Sequence, residues 1–324
     1  MLMPSVINLE LTNRCNLRCV FCDHSSLEGK MRPGEMKTSL LVKLLNEVSG
    51  LNIYELGVVG LGEPLLDTNL GQHLDEISKF KNKFVRISLN SNGTLMDANK
   101  AGLIIGSAVN LVTFSINATS KAVYKKLMGK DLFLKVIDNI KFFIEERHRH
   151  NRMDMKISIQ CISSSLNNES DLRRLFSDYL DDSVIIYNRR VFNKPAVEKG
   201  GKDLVIVYKP DFSTRHPCWS LYDRVYIDIN GNVYPCTIGN DCYRESSALC
   251  IGNANNDELA GIFNNDHMCM ARSRVESGSL AFPECEKCTS WDIFPNNFEL
   301  TGGKWVLSNN AEVRRGELDR NDHV

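Results

Sequence analysis

The feature that most constrains the fold of this chain is a regular alternation of short β-type runs with amphipathic helical segments over about the first 190 residues. Strands that alternate with helices indicate βαβ units built around a parallel sheet. The predicted strands cover residues 5–11, 54–59, 84–89, 111–116, 155–162 and 184–191. The predicted helices cover 39–48, 70–80, 96–105, 133–149 and 169–180, with Thr38 as the N-cap of the first.

Polar and apolar residues alternate along several of these strands, which is unusual for parallel strands that are covered on both faces. If the apolar side chains meet the helices, the polar side chains must line an interior that holds water or a ligand. The sequence therefore predicts an α/β fold with a partial (β/α)6 TIM-like barrel, unless the polar residues simply lie near strand ends. The candidates for the lumen are Asn8, Glu10, Asn90, Asn117 and Gln160.

The charge of the chain is balanced, with 39 Lys and Arg residues against 40 Asp and Glu residues among 324. This balance argues against a strongly basic nucleic-acid-binding protein and against a polybasic membrane module. The sequence contains no apolar run long enough to span a membrane and no signal peptide, so the expected location is the cytoplasm. In that reducing compartment, eleven cysteines are more typical of metal ligands than of disulfides.

Three cysteines, Cys15, Cys19 and Cys22, follow the first predicted strand with the spacing C-x3-C-x2-C. Three thiolates on one tight loop can hold three irons of a [4Fe–4S] cube and leave the fourth iron open for chemistry. The alternative is a zinc site, which normally takes four protein ligands and could use the nearby His24.

A second group of cysteines occupies the last third of the chain. Cys218 and Cys236 bracket Gly231 as C-x12-G-x4-C, and Cys285 and Cys288 form a C-x2-C pair. An Asn-Gly turn at 230–231 predicts a β-hairpin between the first two of these cysteines. From the residues alone, a C-x2-C pair with a distant pair of cysteines is compatible with a zinc knuckle.

The front motif, with Phe21 before its last cysteine, resembles that of the radical S-adenosylmethionine (radical SAM) enzymes. The run Gly60-Leu61-Gly62-Glu63-Pro64 looks like the Gly-Gly-Glu-Pro motif of that family, which binds the methionyl group of the cofactor. Segments after the third and fourth strands resemble its ribose contacts. The resemblance implies that S-adenosylmethionine is bound by Phe21, Gly60, Gly62, Glu63, Pro64, Asn92, Ser115 and Asn117, with a catalytic [4Fe–4S] cluster on Cys15, Cys19 and Cys22.

The back segment resembles the SPASM/twitch extension of the same family, a small Cys-rich α+β domain. The resemblance implies one auxiliary [4Fe–4S] cluster on Cys218, Cys236, Cys285 and Cys288, because phenylalanines occupy positions 294 and 298, where the full pattern has further cysteine ligands. The expected domains are a barrel at 1–192, a linker at 193–216, the extension at 217–300 and a disordered tail at 301–324.

The implied activity is radical chemistry in which a 5′-deoxyadenosyl radical abstracts hydrogen from a substrate C–H bond. The leading hypothesis is oxidation of a hydroxyl-bearing small molecule, a sugar or cyclitol, with the auxiliary cluster as electron acceptor, the layout of a cyclitol dehydrogenase in that family. The alternatives are an epimerase with Cys250 or Cys269 as hydrogen donor, and leader-independent peptide modification. A flavodoxin or ferredoxin is the expected reductant, with no nucleic-acid or membrane partner.

The predictions for three other groups of residues are less specific. Cys161 shares the apolar phase of its strand and is expected in the core. Cys242 is a spare thiol with no assigned role. Arg189 and Arg190, at the end of the sixth strand, are suited either to clamping a carboxylate or phosphate of cofactor or substrate, or to solvation.

Overall fold

The protein is described by a computed structural model that covers residues 2–27, 29–192, 204–236, 247–293 and 297–308. All six predicted barrel strands are present, each within two residues of its expected limits. The strands are β1 Val6–Leu9, β2 Glu55–Val58, β3 Arg86–Ser91, β4 Leu111–Ser115, β5 Lys156–Ile162, β6 Val184–Arg189, β7 Arg224–Ile227, β8 Asn232–Tyr234, β9 Gly252–Asn253, β10 Phe298–Thr301 and β11 Lys304–Leu307.

Within the described residues, nine strands form one sheet in the order β6-β5-β4-β3-β2-β1-β7-β8-β9. The first six strands are parallel to their neighbours, as βαβ connections require. The prediction of a mixed α/β fold with a parallel barrel sheet is therefore confirmed. The remaining two strands, β10 and β11, form a separate antiparallel hairpin.

Helices connect the strands and cover the sheet. They are α1 Asp23–Ser26, α2 Thr38–Val48, α3 Leu70–Ser78, α4 Ala98–Gly106, α5 Lys121–Met128, α6 Phe133–Arg149, α7 Glu169–Leu175, α8 Ser220–Asp223, α9 Leu259–Phe263 and α10 Asp266–Glu276. Among the described residues, no helix is long and apolar enough to cross a membrane.

The apolar and the polar side chains of the barrel strands lie on different faces of the sheet, as the sequence predicts. Apolar residues such as Ile7 and Leu9 are buried in the core. On the polar phase, side chains of neighbouring strands bind one another: the Ser88 hydroxyl donates to Glu55 Oε1 at 2.6 Å, and the Tyr187 hydroxyl donates to Gln160 Oε1 at 2.5 Å. The barrel therefore has a polar inner layer.

The cysteine-rich extension continues the barrel sheet instead of forming a separate layer. Strand β7 pairs in parallel with β1, from Val6 opposite Arg224 to Leu9 opposite Ile227. The predicted hairpin then joins β7 to β8, with Gly231 in the left-handed region at a φ of 83°. Glycine adopts this conformation without the steric cost that a Cβ atom would bring.

Four local predictions need correction. Lys37, not Thr38, is the N-cap of α2, because the Thr38 hydroxyl bonds to His73 Nε2 at 3.0 Å instead of capping the helix. The fifth predicted helix ends at Leu175 and gives way to a 3₁₀ turn, Ser177–Tyr179.

The third correction concerns α5, which the sequence analysis missed although Ser120 caps its start and Gly129, at a φ of 77°, ends it. The fourth concerns the predicted tail from 301, because β11 lies inside it and pairs with β10. The part of that tail from 309 to 324 lies outside the described residues, as does linker segment 193–203.

Candidate active site

The three front cysteines lie on the loop that leaves the C-terminal end of β1, where active sites of this architecture are built. Backbone hydrogen bonds hold the loop on both sides. Glu63 N donates to Arg14 O at 2.7 Å, and Val20 N donates to Leu127 O of α5 at 3.0 Å. The loop is thus clamped between the segment after β2 and helix α5.

The three thiols influence one another electrostatically. Burial, with smaller contributions from Glu63 and Cys22, raises the pKa of Cys15 to about 12, against the lowering effect of a backbone hydrogen bond from Leu17. Burial, followed by Cys22 and Cys15, raises the pKa of Cys19 well above its ordinary value. These effects outweigh the lowering effect of Arg18 on Cys15 and of Arg189 on Cys19, so the donor set fits an iron cluster that supplies further positive charge.

The segment after β2 approaches the cysteine loop very closely. A Cβ atom on Gly62 would lie 1.9 Å from Thr12 O, and a Cβ atom on Gly60 would lie 2.6–2.8 Å from the Glu10 side chain. Glu10 Oε1 in turn accepts a hydrogen bond from Leu61 N at 2.8 Å. A Cβ atom at Gly62 would therefore displace the backbone of the loop after β1, and one at Gly60 would displace the Glu10 side chain.

Glu63 joins the ends of β2 and β3. Its carboxylate accepts hydrogen bonds from the Ser91 hydroxyl at 2.7 Å, from Asn92 N at 2.7 Å and from Leu65 N at 3.1 Å. Complete burial raises its pKa to about 7, against the lowering effect of these hydrogen bonds. The carboxylate therefore organises the loop, while Pro64 begins the 3₁₀ turn Pro64–Leu66 that follows.

Asn92 links this segment to the cysteine loop. Its amide nitrogen Nδ2 donates to Asn16 Oδ1 at 2.9 Å, and its Oδ1 accepts from Thr94 N at 2.9 Å. Asn16 Nδ2 completes the ring by donating to Thr94 Oγ1 at 2.7 Å. Asn16, which lies next to Cys15, was not among the residues predicted from the sequence.

The ends of β4 and β6 contribute further polar atoms near the cysteines. Asn117 adopts a φ of 59°, and its Nδ2 donates to Ser115 O at 3.3 Å. Phe21 is buried in the adjoining core. Arg189 is half-buried, its charge acts on Cys22 and Cys19, and desolvation lowers the pKa of its guanidinium.

Three buried polar atoms in this region have no hydrogen-bond partner within the described part of the chain. They are Asn117 Oδ1, Arg189 Nε and the Tyr124 hydroxyl. Tyr124 lies on α5, is 0% exposed, and its pKa is raised by burial, Cys19, Glu63 and Cys15 in that order. Buried orphaned polar atoms are rare in native proteins, so their convergence beside three thiols fits a polar cofactor in this space.

The four back cysteines share one cavity. Cys218, Cys236, Cys285 and Cys288 line one cavity of about 60 Å³, together with aromatic residues including His216 and Trp291. Burial, followed by Cys218, raises the pKa of Cys285 to about 12. Arg215 donates to Cys285 O at 2.7 Å and lies over the Trp291 ring at 5.5 Å.

The other described cysteines have different surroundings. Cys161 is 0% exposed in the core, as predicted. The Cys250 thiol contacts Gly252 O at 3.6 Å, beside the β8–β9 pair, and Cys269 is exposed on α10 with its thiol 3.4 Å from Asn264 O. Cys242 lies outside the described residues.

Comparison with protein families decides between the metal centres left open by the residues. Residues 9–169 match the model of the radical SAM superfamily, and residues 218–289 match that of the SPASM iron–sulfur cluster-binding domain. The chain is a radical SAM protein with a SPASM domain. The family uses S-adenosylmethionine and a [4Fe–4S] cluster, and its SPASM domain binds auxiliary iron–sulfur clusters.

Similarity to individual proteins is more distant. The "tungsten-containing aldehyde ferredoxin oxidoreductase cofactor-modifying protein" of Pyrococcus furiosus is 22% identical over 318 residues, which span 88% of this chain and 87% of that protein. The chain covers only 55% and 37% of the lengths of the first two curated relatives that it matches.

Two solved structures share the fold. The structure of BtrN in complex with AdoMet and 2-DOIA has a TM-score of 0.57 at 17% identity, and the match covers 89% of this chain and 93% of BtrN. The structure of Streptococcus suis SuiB bound to precursor peptide SuiA has a TM-score of 0.64 at 14% identity, and the match covers 90% and 70% of the two chains.

Proposed function

We propose that this radical SAM protein removes a hydrogen atom from a C–H bond of a hydroxyl-bearing small molecule, a sugar or cyclitol, and oxidises the carbinol to a ketone. The observation that carries the proposal is the single cavity lined by all four back cysteines. A cluster held by four protein thiolates has no open iron for substrate, so its natural role is electron transfer.

The electron balance of the proposed oxidation explains why a second iron–sulfur cluster is useful. The carbinol loses a hydrogen atom from carbon, a proton from oxygen and one further electron, and a C=O bond forms. When bound, the cofactors supply the radical that takes the hydrogen atom and the acceptor for the remaining electron. The likeness to BtrN, solved with AdoMet and 2-DOIA, supports this candidate through the shared fold.

The residues of the chain position and shield these reactants. The cysteine loop, the Gly60–Pro64 segment and Asn92 form one hydrogen-bonded unit at the ends of β1, β2 and β3, so they hold the cofactor in a fixed orientation. The polar inner layer, including Gln160 and Tyr187, offers hydrogen bonds to substrate hydroxyl groups. Arg189 is placed to hold an anionic group beside Cys19 and Cys22.

Peptide modification is the second candidate. The observation that favours it is the higher TM-score, 0.64, of the SuiB structure solved with a precursor peptide. The two candidates differ in the substrate that should stimulate formation of 5′-deoxyadenosine. A sugar or cyclitol indicates the first candidate, and a peptide indicates the second.

The first experiment counts iron after anaerobic reconstitution. We expect about eight irons per chain in the wild type and about four in either Cys15→Ala/Cys19→Ala/Cys22→Ala or Cys285→Ala/Cys288→Ala, because each variant loses one cluster. Cys269→Ala, an exposed cysteine outside both sites, is the matched control and should keep the full count.

The second experiment incubates the reconstituted protein with S-adenosylmethionine, dithionite and a panel of aminosugars and cyclitols. Formation of a ketone together with methionine and 5′-deoxyadenosine supports the proposal. Deoxyadenosine without ketone, or a wild type that binds only about four irons, would rule out the electron-acceptor role.

A further inference from the structure

Helix α5 has two faces of opposite character. Its inner face carries Tyr124, Leu127 and Met128, all buried. Its outer face and the following turn carry four exposed lysines, Lys121, Lys125, Lys126 and Lys130. The only acidic residue between positions 119 and 131 is Asp131, which lies 3.5 Å from Lys121, so the outer face has a net positive charge.

The inner face lies directly on the cysteine loop. Met128 Sδ is 3.6 Å from Cys19 Sγ, and Met128 O accepts a hydrogen bond from Arg18 N at 3.3 Å. A Cβ atom on Gly129 would lie 2.8 Å from Arg18 O. One helix therefore separates the lysines from a cluster ligand, and a helix with its side chains is only about 10–12 Å across.

We propose that the outer face of α5, formed by Lys121, Lys125, Lys126 and Lys130, is the docking surface for an acidic one-electron carrier protein that reduces the cluster held by Cys15, Cys19 and Cys22. The inference rests on the proposed function, since reductive radical chemistry needs an electron from outside the chain. Opposite surface charges steer two proteins together and orient their encounter. The carrier is oxidised by one electron, the cluster is reduced by one electron, and no bond is formed or broken.

A competing explanation is that these lysines only stabilise α5. Lys125 and Lys126 lie in its last turn, where positive charge interacts favourably with the helix macrodipole. This explanation predicts an effect on stability and none on the rate of reduction by a particular carrier, so the two explanations differ in a measurable way.

The test uses the reconstituted full chain and two variants, Lys125→Gln/Lys126→Gln and Lys125→Glu/Lys126→Glu. The matched control is Lys81→Glu/Lys83→Glu, which reverses the same number of exposed charges on the 3₁₀ turn Lys81–Lys83 that precedes β3, at the opposite end of the sheet. Stopped-flow absorbance follows reduction of the cluster by a reduced acidic flavodoxin, by a reduced acidic plant-type ferredoxin and by dithionite. Binding of each oxidised carrier is measured separately as a function of salt.

At low salt we expect charge reversal on α5 to slow reduction by both carriers about tenfold or more and to weaken their binding, with the Gln variant intermediate and the control within about twofold of wild type. Reduction by dithionite should not change in any variant, and the difference between variants should shrink as salt rises. Equal effects in the α5 and control variants, or binding that is independent of salt, would overturn the docking inference. If dithionite itself fails to reduce a front cluster, the proposed function has failed instead.

Discussion

At the scale of single residues, the site contains buried polar atoms that make no hydrogen bond in the cofactor-free protein. The Tyr124 hydroxyl, Asn117 Oδ1 and Arg189 Nε lack hydrogen-bond partners among the described residues. A buried polar group without a partner costs about 1–3 kcal/mol, so these atoms lower the stability of the empty protein. We expect them to become favourable if a bound cofactor provides their partners.

Tyr124→Phe should change the stability of the cluster-free protein and the reduction potential of the cluster-loaded protein. Without the cluster, loss of the unpaired hydroxyl should raise the free energy of unfolding by about 1 kcal/mol. With the cluster, the reduction potential should become more negative, because a hydrogen bond to a cluster sulfur stabilises the reduced state. Denaturant unfolding and potentiometric titration followed by electron paramagnetic resonance measure the two effects.

Tyr179→Phe is the control for this pair of measurements, because the Tyr179 hydroxyl bonds to Glu145 on the exposed surface at 2.8 Å. It should leave the potential of the cluster unchanged. If Tyr124→Phe also leaves the potential unchanged, the hydroxyl does not bind the cluster.

The raised pKa of Glu63 should appear in the pH dependence of stability. Because burial raises the pKa from 4.5 to about 7, the folded protein binds more protons than the unfolded chain between these values. This contribution to stability is present below pH 4.5 and is lost as pH rises through about 7. Glu63→Gln should therefore flatten the decline in the free energy of unfolding of the cluster-free protein over this range.

Chemical denaturation at several pH values tests this expectation. Glu76→Gln, in which a carboxylate on the surface of α3 is replaced, is the control and should retain the wild-type slope. A Glu63→Gln variant with the same slope as wild type would show that the Glu63 carboxylate titrates normally.

At the scale of elements, hydrogen bonds join the three loops that follow β1, β2 and β3. The segment after β2 binds the loop after β1 through Glu63 N and Arg14 O, and the segment after β3 binds the same loop through Asn92 and Asn16. Glu63 joins the second and third segments. The three strand ends therefore position the cysteines as a unit, and disturbance of one loop is transmitted to the others.

Gly62→Ala should disrupt this unit, because its Cβ atom would lie 1.9 Å from Thr12 O, three residues before Cys15. We expect loss of the front cluster, seen as a fall from about eight to about four irons, with retention of the back cluster. Gly102→Ala in α4 is the control, since nothing lies within 4 Å of its Cβ position. Full iron content in Gly62→Ala would mean that the loops adjust independently.

At the scale of the whole molecule, the extension is part of the barrel sheet. Strand β1 has β2 on one side and β7 on the other, and side chains reinforce the junction: Asn264 bonds to the backbone of Leu2 at 2.7 and 3.0 Å, and Lys43 donates to Ala254 O at 2.6 Å. The two cysteine groups are therefore carried by one continuous framework.

We expect the barrel and the extension to unfold in a single transition, since a shared strand cannot lose one neighbour without exposing its edge. The three tryptophans, Trp219, Trp291 and Trp305, all lie after the barrel, so their fluorescence reports on the extension. Far-ultraviolet circular dichroism is dominated by the barrel helices. The two denaturation curves of the cluster-free protein should coincide, and two separate midpoints would contradict this expectation.

Much of the molecule follows from local sequence. The six barrel strands and the helix Phe133–Arg149 were predictable because their apolar spacing is regular, and the ligand cysteines because thiols at such spacing have few other uses. The Asn-Gly hairpin was predictable because glycine tolerates the left-handed conformation of its turn. Helix α5 was missed although Ser120 and Gly129 mark its ends.

Other features depended on contacts between residues distant in sequence, which no local pattern encodes. The parallel pairing of β7 with β1 brings together segments about 218 residues apart, and it decides that the extension continues the barrel sheet. Tyr124 and Asn16 reach the site because α5 and the β3 loop pack against the cysteine loop. The sequence by itself determined the strands and the candidate ligands, because periodicity and side-chain chemistry are local properties. Only the tertiary structure decided which polar atoms surround the ligands and how the two sites are joined, because burial and strand pairing are properties of the packed molecule.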